Sequence, residues 1–184
     1  NRRVIIPNAV ISDDVIVNDN AAPTYIFAGA GDDTISAEFR GTVVAGDGDD
    51  IVMHQLIAQP LDEVNDDTST MIDSWTFGGA GSDLIVLEDD FIPYSTYDSG
   101  EHNIGGFEMG QDKLGLLLPS AEAGDVEVTF GSHAFSGFVT VDILHAGETL
   151  TVVLHGITEA PGPGFVELYQ NEAAVLAGTP YSTA

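Results

Sequence analysis

Three short segments set carboxylates and glycines at one spacing: residues 28–36 (AGAGDDTIS), 45–53 (AGDGDDIVM) and 78–86 (GGAGSDLIV). In each, two glycines are separated by one residue: Gly29 and Gly31, Gly46 and Gly48, Gly79 and Gly81. An aspartate, Asp33, Asp50 or Asp83, follows two positions after the second glycine. Asp32, Asp47 and Asp49 add further carboxylates in the first two copies. Glycine admits positive φ and lets carbonyl oxygens turn toward a common point. A short aspartate adds a charged oxygen there. This is the chemistry of an oxygen cage for a hard cation, and these twelve residues form the candidate ligand set. Ile35, Val52 or Ile85 then opens a strand with its side chain facing inward.

One such loop supplies only part of the roughly six to eight oxygens that calcium takes, so a second loop stacked on the first is needed to complete the shell. The spacing suits stacking. Asp33 and Asp50 are 17 residues apart, and Asp83 follows 33 later, close to twice that interval. Two degenerate copies extend the series without the glycines: Asp14 in SDDVIV (12–17) and Asp67 in NDDTST (65–70). They are read as coil positions more than as ion sites.

The pattern G/A-G-x-G-x-D-x-U-x, where U is apolar, resembles the calcium-binding nonapeptide of the RTX (hemolysin-type) family. The later segment 107–119 (FEMGQDKLGLLLP) resembles the F-x-x-G-x-D-x-I/L-x-L stretch that follows the repeats in many RTX proteins, serralysin-type proteases among them. Gly110, Asp112, Leu114 and Leu116 carry that likeness. The resemblance implies calcium as the bound ion. It also implies an all-β, right-handed parallel β-roll or β-helix with calcium-binding turns, capped by antiparallel C-terminal hairpins. One departure stands out: residues 38–44 (EFRGTVV), half a coil away, hold one glycine, an arginine and no aspartate. Calcium is therefore expected along one edge, with ordinary turns on the other. The insertion between His54 and Trp75 interrupts the regular spacing.

Composition agrees with a cation-binding framework. Thirty acidic residues face four basic ones, for a formal charge of −26, while 43% of the chain is apolar. Such a chain forms a core but repels nucleic acid and anionic membranes. Sixteen of 19 aspartates lie in residues 1–98, against three of 11 glutamates, so the acids are sorted by type and not spread as a solubilising coat. With no cysteine, disulfides and thiolate sites are excluded. No apolar run reaches the roughly 18 residues of a membrane-spanning helix. The opening NRRVIIPNAV lacks an initiator methionine and is expected to be a processed or excised terminus.

The division expected is a calcium-binding unit over residues 1–92 and an antiparallel β-rich capping region over 93–184, joined as one continuous domain. Residues 138–145 and 149–155 flank Ala-Gly-Glu and read as a hairpin, and residues 171–178 read as a short helix ending at Gly178.

Catalytic signatures are missing. The histidines at 54, 102, 133, 145 and 155 form no His-Glu-x-x-His pair, and no serine sits in a Gly-x-Ser-x-Gly elbow. His145 and His155 are close enough in sequence to meet across the hairpin. Glu88, Asp89 and Asp90 are adjacent acids, which point to opposite faces in a strand. The expectation is therefore no enzyme, but a secreted, extracellular calcium-binding structural protein that assembles with itself through open sheet edges or terminal strands. The alternative is the C-terminal secretion and folding module of a larger secreted enzyme or toxin.

Overall fold

A computed structural model of the chain describes residues 3–5, 12–18, 24–38, 41–56, 74–89, 101–118, 126–145 and 147–183. Up to Leu117 the strands alternate between two sheets. β1 (Arg3–Ile5), β3 (Thr24–Ala30), β5 (Gly41–Asp47), β7 (Ser74–Ala80) and β9 (Glu101–Gly105) lie in the first. β2 (Val15–Asn18), β4 (Thr34–Glu38), β6 (Ile51–Leu56), β8 (Leu84–Asp89) and β10 (Lys113–Leu117) lie in the second. Neighbours among these strands run parallel.

The C-terminal half extends both sheets sideways. β13 (Glu148–His155) joins β9 in parallel, and β12 (Val139–His145) and β11 (Glu127–Ser132) follow in antiparallel order. In the second sheet β14 (Val166–Tyr169) joins β10 in parallel and β15 (Ser182–Thr183) closes antiparallel to it. Among the described residues the result is an eight-stranded and a seven-stranded sheet, each mixed.

This corrects the expectation of a single parallel β-roll or β-helix capped by hairpins. The hairpin β12–β13 does form, but it lies edge-on in the first sheet. The reason is its apolar alternation: Val139, Val141, Ile143, Leu150, Val152 and Leu154 are all buried on one face. They pack in one cluster with Ile85, Leu87, Ile104, Leu114 and Leu116 from the parallel strands. A hairpin set across the end would leave that stripe without the second sheet to pack on, at about 25 cal/mol per Å² of apolar surface left wet.

A smaller cluster fills the N-terminal part, from Ile16, Ile26, Ile35, Val43 and Val52 with Ala28, Ala37 and Ala45. At β6, β7 and β9 the interior is polar instead. Thr76 Oγ1 lies 3.0 Å from His54 Nδ1 and 3.0 Å from His102 Nε2, and both rings are fully buried. On the far face of the second sheet, helix α1 (Glu172–Leu176) sets Val175 against Met53, Leu84, Val86 and Tyr169. Asn171 caps it by accepting from the Ala174 N–H at 2.9 Å, and Gly178 turns the chain at φ +59°. Among the described residues no helix is long and apolar enough to cross a membrane. Residues 57–73, which hold most of the insertion and Asp67, lie outside those described.

Candidate functional site

The three glycine-aspartate segments become three stacked turns on one edge of the sheet pair. Each leads from a strand of the first sheet to one of the second: β3 to β4, β5 to β6, β7 to β8. Register aligns them, with Gly29 beside Gly46 and Gly46 beside Gly79, then Thr34 beside Ile51 and Ile51 beside Leu84. Stacking this close requires glycine. Gly48 has φ +145°, and a methyl on it would stand 2.0 Å from the carbonyl oxygen of Gly31. A methyl on Gly46 would stand 1.8 Å from the carbonyl oxygen of Gly29. Carbonyl oxygens of one turn thus occupy the space that side chains would take in the next.

Aspartates tie the turns into a ladder. The N–H of Asp33 donates to Asp50 Oδ1 at 2.8 Å, and the N–H of Asp50 donates to Asp83 Oδ1 at 3.1 Å. The ladder runs further than the glycine pattern. Asp14 N–H donates to Asp33 Oδ1 at 2.8 Å, and Asp83 N–H donates to Asp112 Oδ1 at 3.0 Å. Asp112 closes that end, because its other oxygen accepts from the Glu108 N–H at 2.7 Å. A second, exposed column runs the opposite way: Asp32 N–H donates to Asp13 Oδ1, Asp49 N–H to Asp32 Oδ1, and Ser82 N–H to Asp49 Oδ1, at 2.8–3.0 Å.

The inner carboxylates are half satisfied. Asp33, Asp50 and Asp83 are each 1% exposed, and the Oδ2 of each is buried with no hydrogen-bond partner among the described residues. Burial, more than the neighbouring carboxylates, raises all three from the ordinary aspartate range: Asp50 to about 7, Asp83 to about 6, and Asp33 upward. Buried charged oxygens without partners are costly, so each must be protonated or meet a cation. The chain's one lysine, Lys113, is engaged elsewhere, 2.9 Å from Glu167.

Among the described residues no group of three or more His, Asp or Glu side chains forms a metal cage. The geometry explains why. Within each column the carboxylates come one per turn, spaced by the strand separation of about 4.8 Å, with Oδ1 committed to the neighbouring turn's N–H. An ion between two turns would draw on Asp33, Asp50 and Asp83 for charge and on backbone carbonyls and water for the rest. Calcium accepts such mixed oxygen sets and irregular geometry. The Oδ2 atoms of Asp33, Asp50 and Asp83, with no hydrogen-bond partner among the described residues, are the oxygens free to serve such an ion.

All twelve expected residues fall in these three turns, but not in one role. Asp47 is exposed, and its backbone carbonyl is what acts, accepting from the Gly31 N–H at 2.8 Å. Asp32 and Asp49 belong to the outer column. Asp13, Asp14 and Asp112 complete the columns and were not expected as members. Their signal was the spacing of Asp14 from Asp33 and the Gly-x-Asp of residues 110–112. His145 and His155 do not meet. His145 pairs with Glu148 and Val139 with Leu154, at opposite ends of the hairpin, and His155 Nε2 lies 2.7 Å from Asn103 Oδ1. Glu88 and Asp89 are successive residues of β8 beside Gln55 and Leu56, while Asp90 lies outside the described residues. No family model matches the chain, and no curated protein matches it.

Proposed function

We propose that this is a non-catalytic, extracellular structural protein of the RTX type, ordered by calcium bound along the stacked aspartate turns. One observation carries the reading. Three successive buried carboxylates each spend one oxygen on the neighbouring turn and leave the other with no partner among the described residues, in turns whose glycines pack directly against carbonyl oxygens of the turn before. A divalent cation satisfies those oxygens and removes the repulsion between carboxylates, so binding and folding are one equilibrium. Sites of this kind in extracellular modules bind at about 0.1–1 mM, which fills them outside a cell and leaves them empty inside. The scaffold so formed offers open sheet edges for joining copies of itself.

Circular dichroism and thermal melting of the chelator-stripped protein, titrated with calcium near pH 7.5, test this. The expected result is a saturable gain of β signal and melting temperature that magnesium does not reproduce. Identical melts in chelator and in calcium would overturn the proposal.

A further inference from the structure

Among the described residues, the first sheet ends in two strands paired on one side only. β1 pairs with β3, and β11 pairs with β12. Such edges present unpaired N–H and C=O groups that accept another strand. Their directions match. β1 through β9 and β13 are parallel, β12 reverses, and β11 reverses again, so β11 runs the same way as β1. Moving one copy along the sheet therefore sets its β1 beside the β11 of the next in parallel, continuing the order already present.

Charge distinguishes this joint from other contacts. Copies of a chain carrying −26 repel one another, so its four cations mark where a contact between copies gains direct charge attraction. Two of them, Arg2 and Arg3, are adjacent in sequence, and Arg3 is the first residue of β1. The first residue of β11 is Glu127, which is exposed, and Glu122 and Asp125 precede it in sequence. Parallel pairing aligns strand starts, which brings the cationic end of β1 to the acidic end of β11. Antiparallel pairing would separate them by the length of the strand.

We propose that the protein polymerises head to tail, the free edge of β1 in one copy adding in parallel to the free edge of β11 in the next, with Arg3 and Glu127 at the same end of the joint. The contact uses two different surfaces, so it does not close on itself and propagates a polar filament. It rests on the scaffold reading only in that calcium must order the sheets first.

The test is charge exchange in the full-length chain. Arg3→Glu and Glu127→Arg are prepared separately, and light scattering and electron microscopy follow each in millimolar calcium, with circular dichroism reporting the fold. The wild type is expected to form filaments. Each variant alone should keep the calcium-dependent dichroism but assemble only at about tenfold higher concentration or not at all, since like charges then face each other. An equimolar mixture of the two should assemble again as an alternating copolymer. Three results would overturn the joint: a wild type that orders with calcium yet stays monomeric, single variants that assemble like the wild type, or a mixture that fails to recover. The first of these leaves the calcium scaffold standing. Assembly with the same charge dependence but no calcium response would keep the joint and remove the scaffold reading.

Discussion

The backbone N–H of Asp33 donates to Oδ1 of Asp50 across 17 residues of sequence, while Oδ2 of that same carboxylate is buried without a partner. One side chain thus holds two turns together with one oxygen and keeps the other buried without a hydrogen-bond partner among the described residues. Asp50→Asn keeps an acceptor for the Asp33 N–H and removes the charge. In chelator the variant should melt at or above the wild-type temperature, and in calcium its gain should be much smaller. Asp50→Ala should lose about 1–3 kcal/mol in both conditions, because the Asp33 N–H is then left unsatisfied. Paired melts with and without calcium check both substitutions.

Without calcium, the stability of the protein should rise on mild acidification. Asp50 and Asp83 have folded-state values raised to about 7 and 6 against 3.8 when unfolded, and Asp33 is raised as well. The folded state therefore binds more protons than the unfolded state between about pH 4 and 7. The stability these groups contribute is fully present below the unfolded value and is lost as pH rises through the folded ones. Chelated protein should melt higher at pH 5 than at pH 8, and saturating calcium should remove that gain on acidification. Melting curves across this range in chelator provide the measurement.

Glycine at position 48 is required by the spacing of the turns as well as by its own φ. Gly48→Ala should cost several kcal/mol, because the methyl meets the Gly31 carbonyl oxygen at 2.0 Å and φ is +145°. Gly147 has φ +88° and nothing within 4 Å of the added methyl, so Gly147→Ala should cost only the backbone penalty of about 1–2 kcal/mol. Equilibrium denaturation in calcium compares the two.

His102 carries a pH effect of the opposite sign. It is fully buried, and burial followed by the neighbouring His54 ring lowers it well below the ordinary histidine value of 6.5. A depressed histidine contributes stability above its unfolded value and loses it as pH falls below 6.5. In saturating calcium, where the aspartates remain charged, the melting temperature should fall with acidification. His102→Leu should flatten that fall in melts between pH 7 and 5.

Much of this arrangement was legible in the sequence, and the failures have physical reasons. Alternating apolar residues marked the faces of β12 and β13, but alternation says which face is buried and not which strand lies alongside. The parallel neighbour of β13 is β9, some 50 residues earlier, and local pattern carries no trace of that pairing. The glycines located the three central turns because their close approach excludes any side chain. Asp14 and Asp112 sit at the ends of the inner column, where turns without the full glycine pattern suffice. Asp47 shares the inward parity of Val43 and Ala45, yet it lies past the core, where the strand meets the turn, and so is exposed. The His54–Thr76–His102 trio joins residues from three strands, and no spacing announces it.

Calorimetric titration of calcium into the chelator-stripped protein tests the central claim most directly, alongside the triple variant Asp33→Asn, Asp50→Asn, Asp83→Asn. The account predicts saturable calcium binding by the wild type and its loss in the triple variant, which should still show β structure by circular dichroism without added calcium. Absence of binding by the wild type at about ten times the concentration that fills the weakest extracellular sites, or undiminished binding by the triple variant, would contradict it.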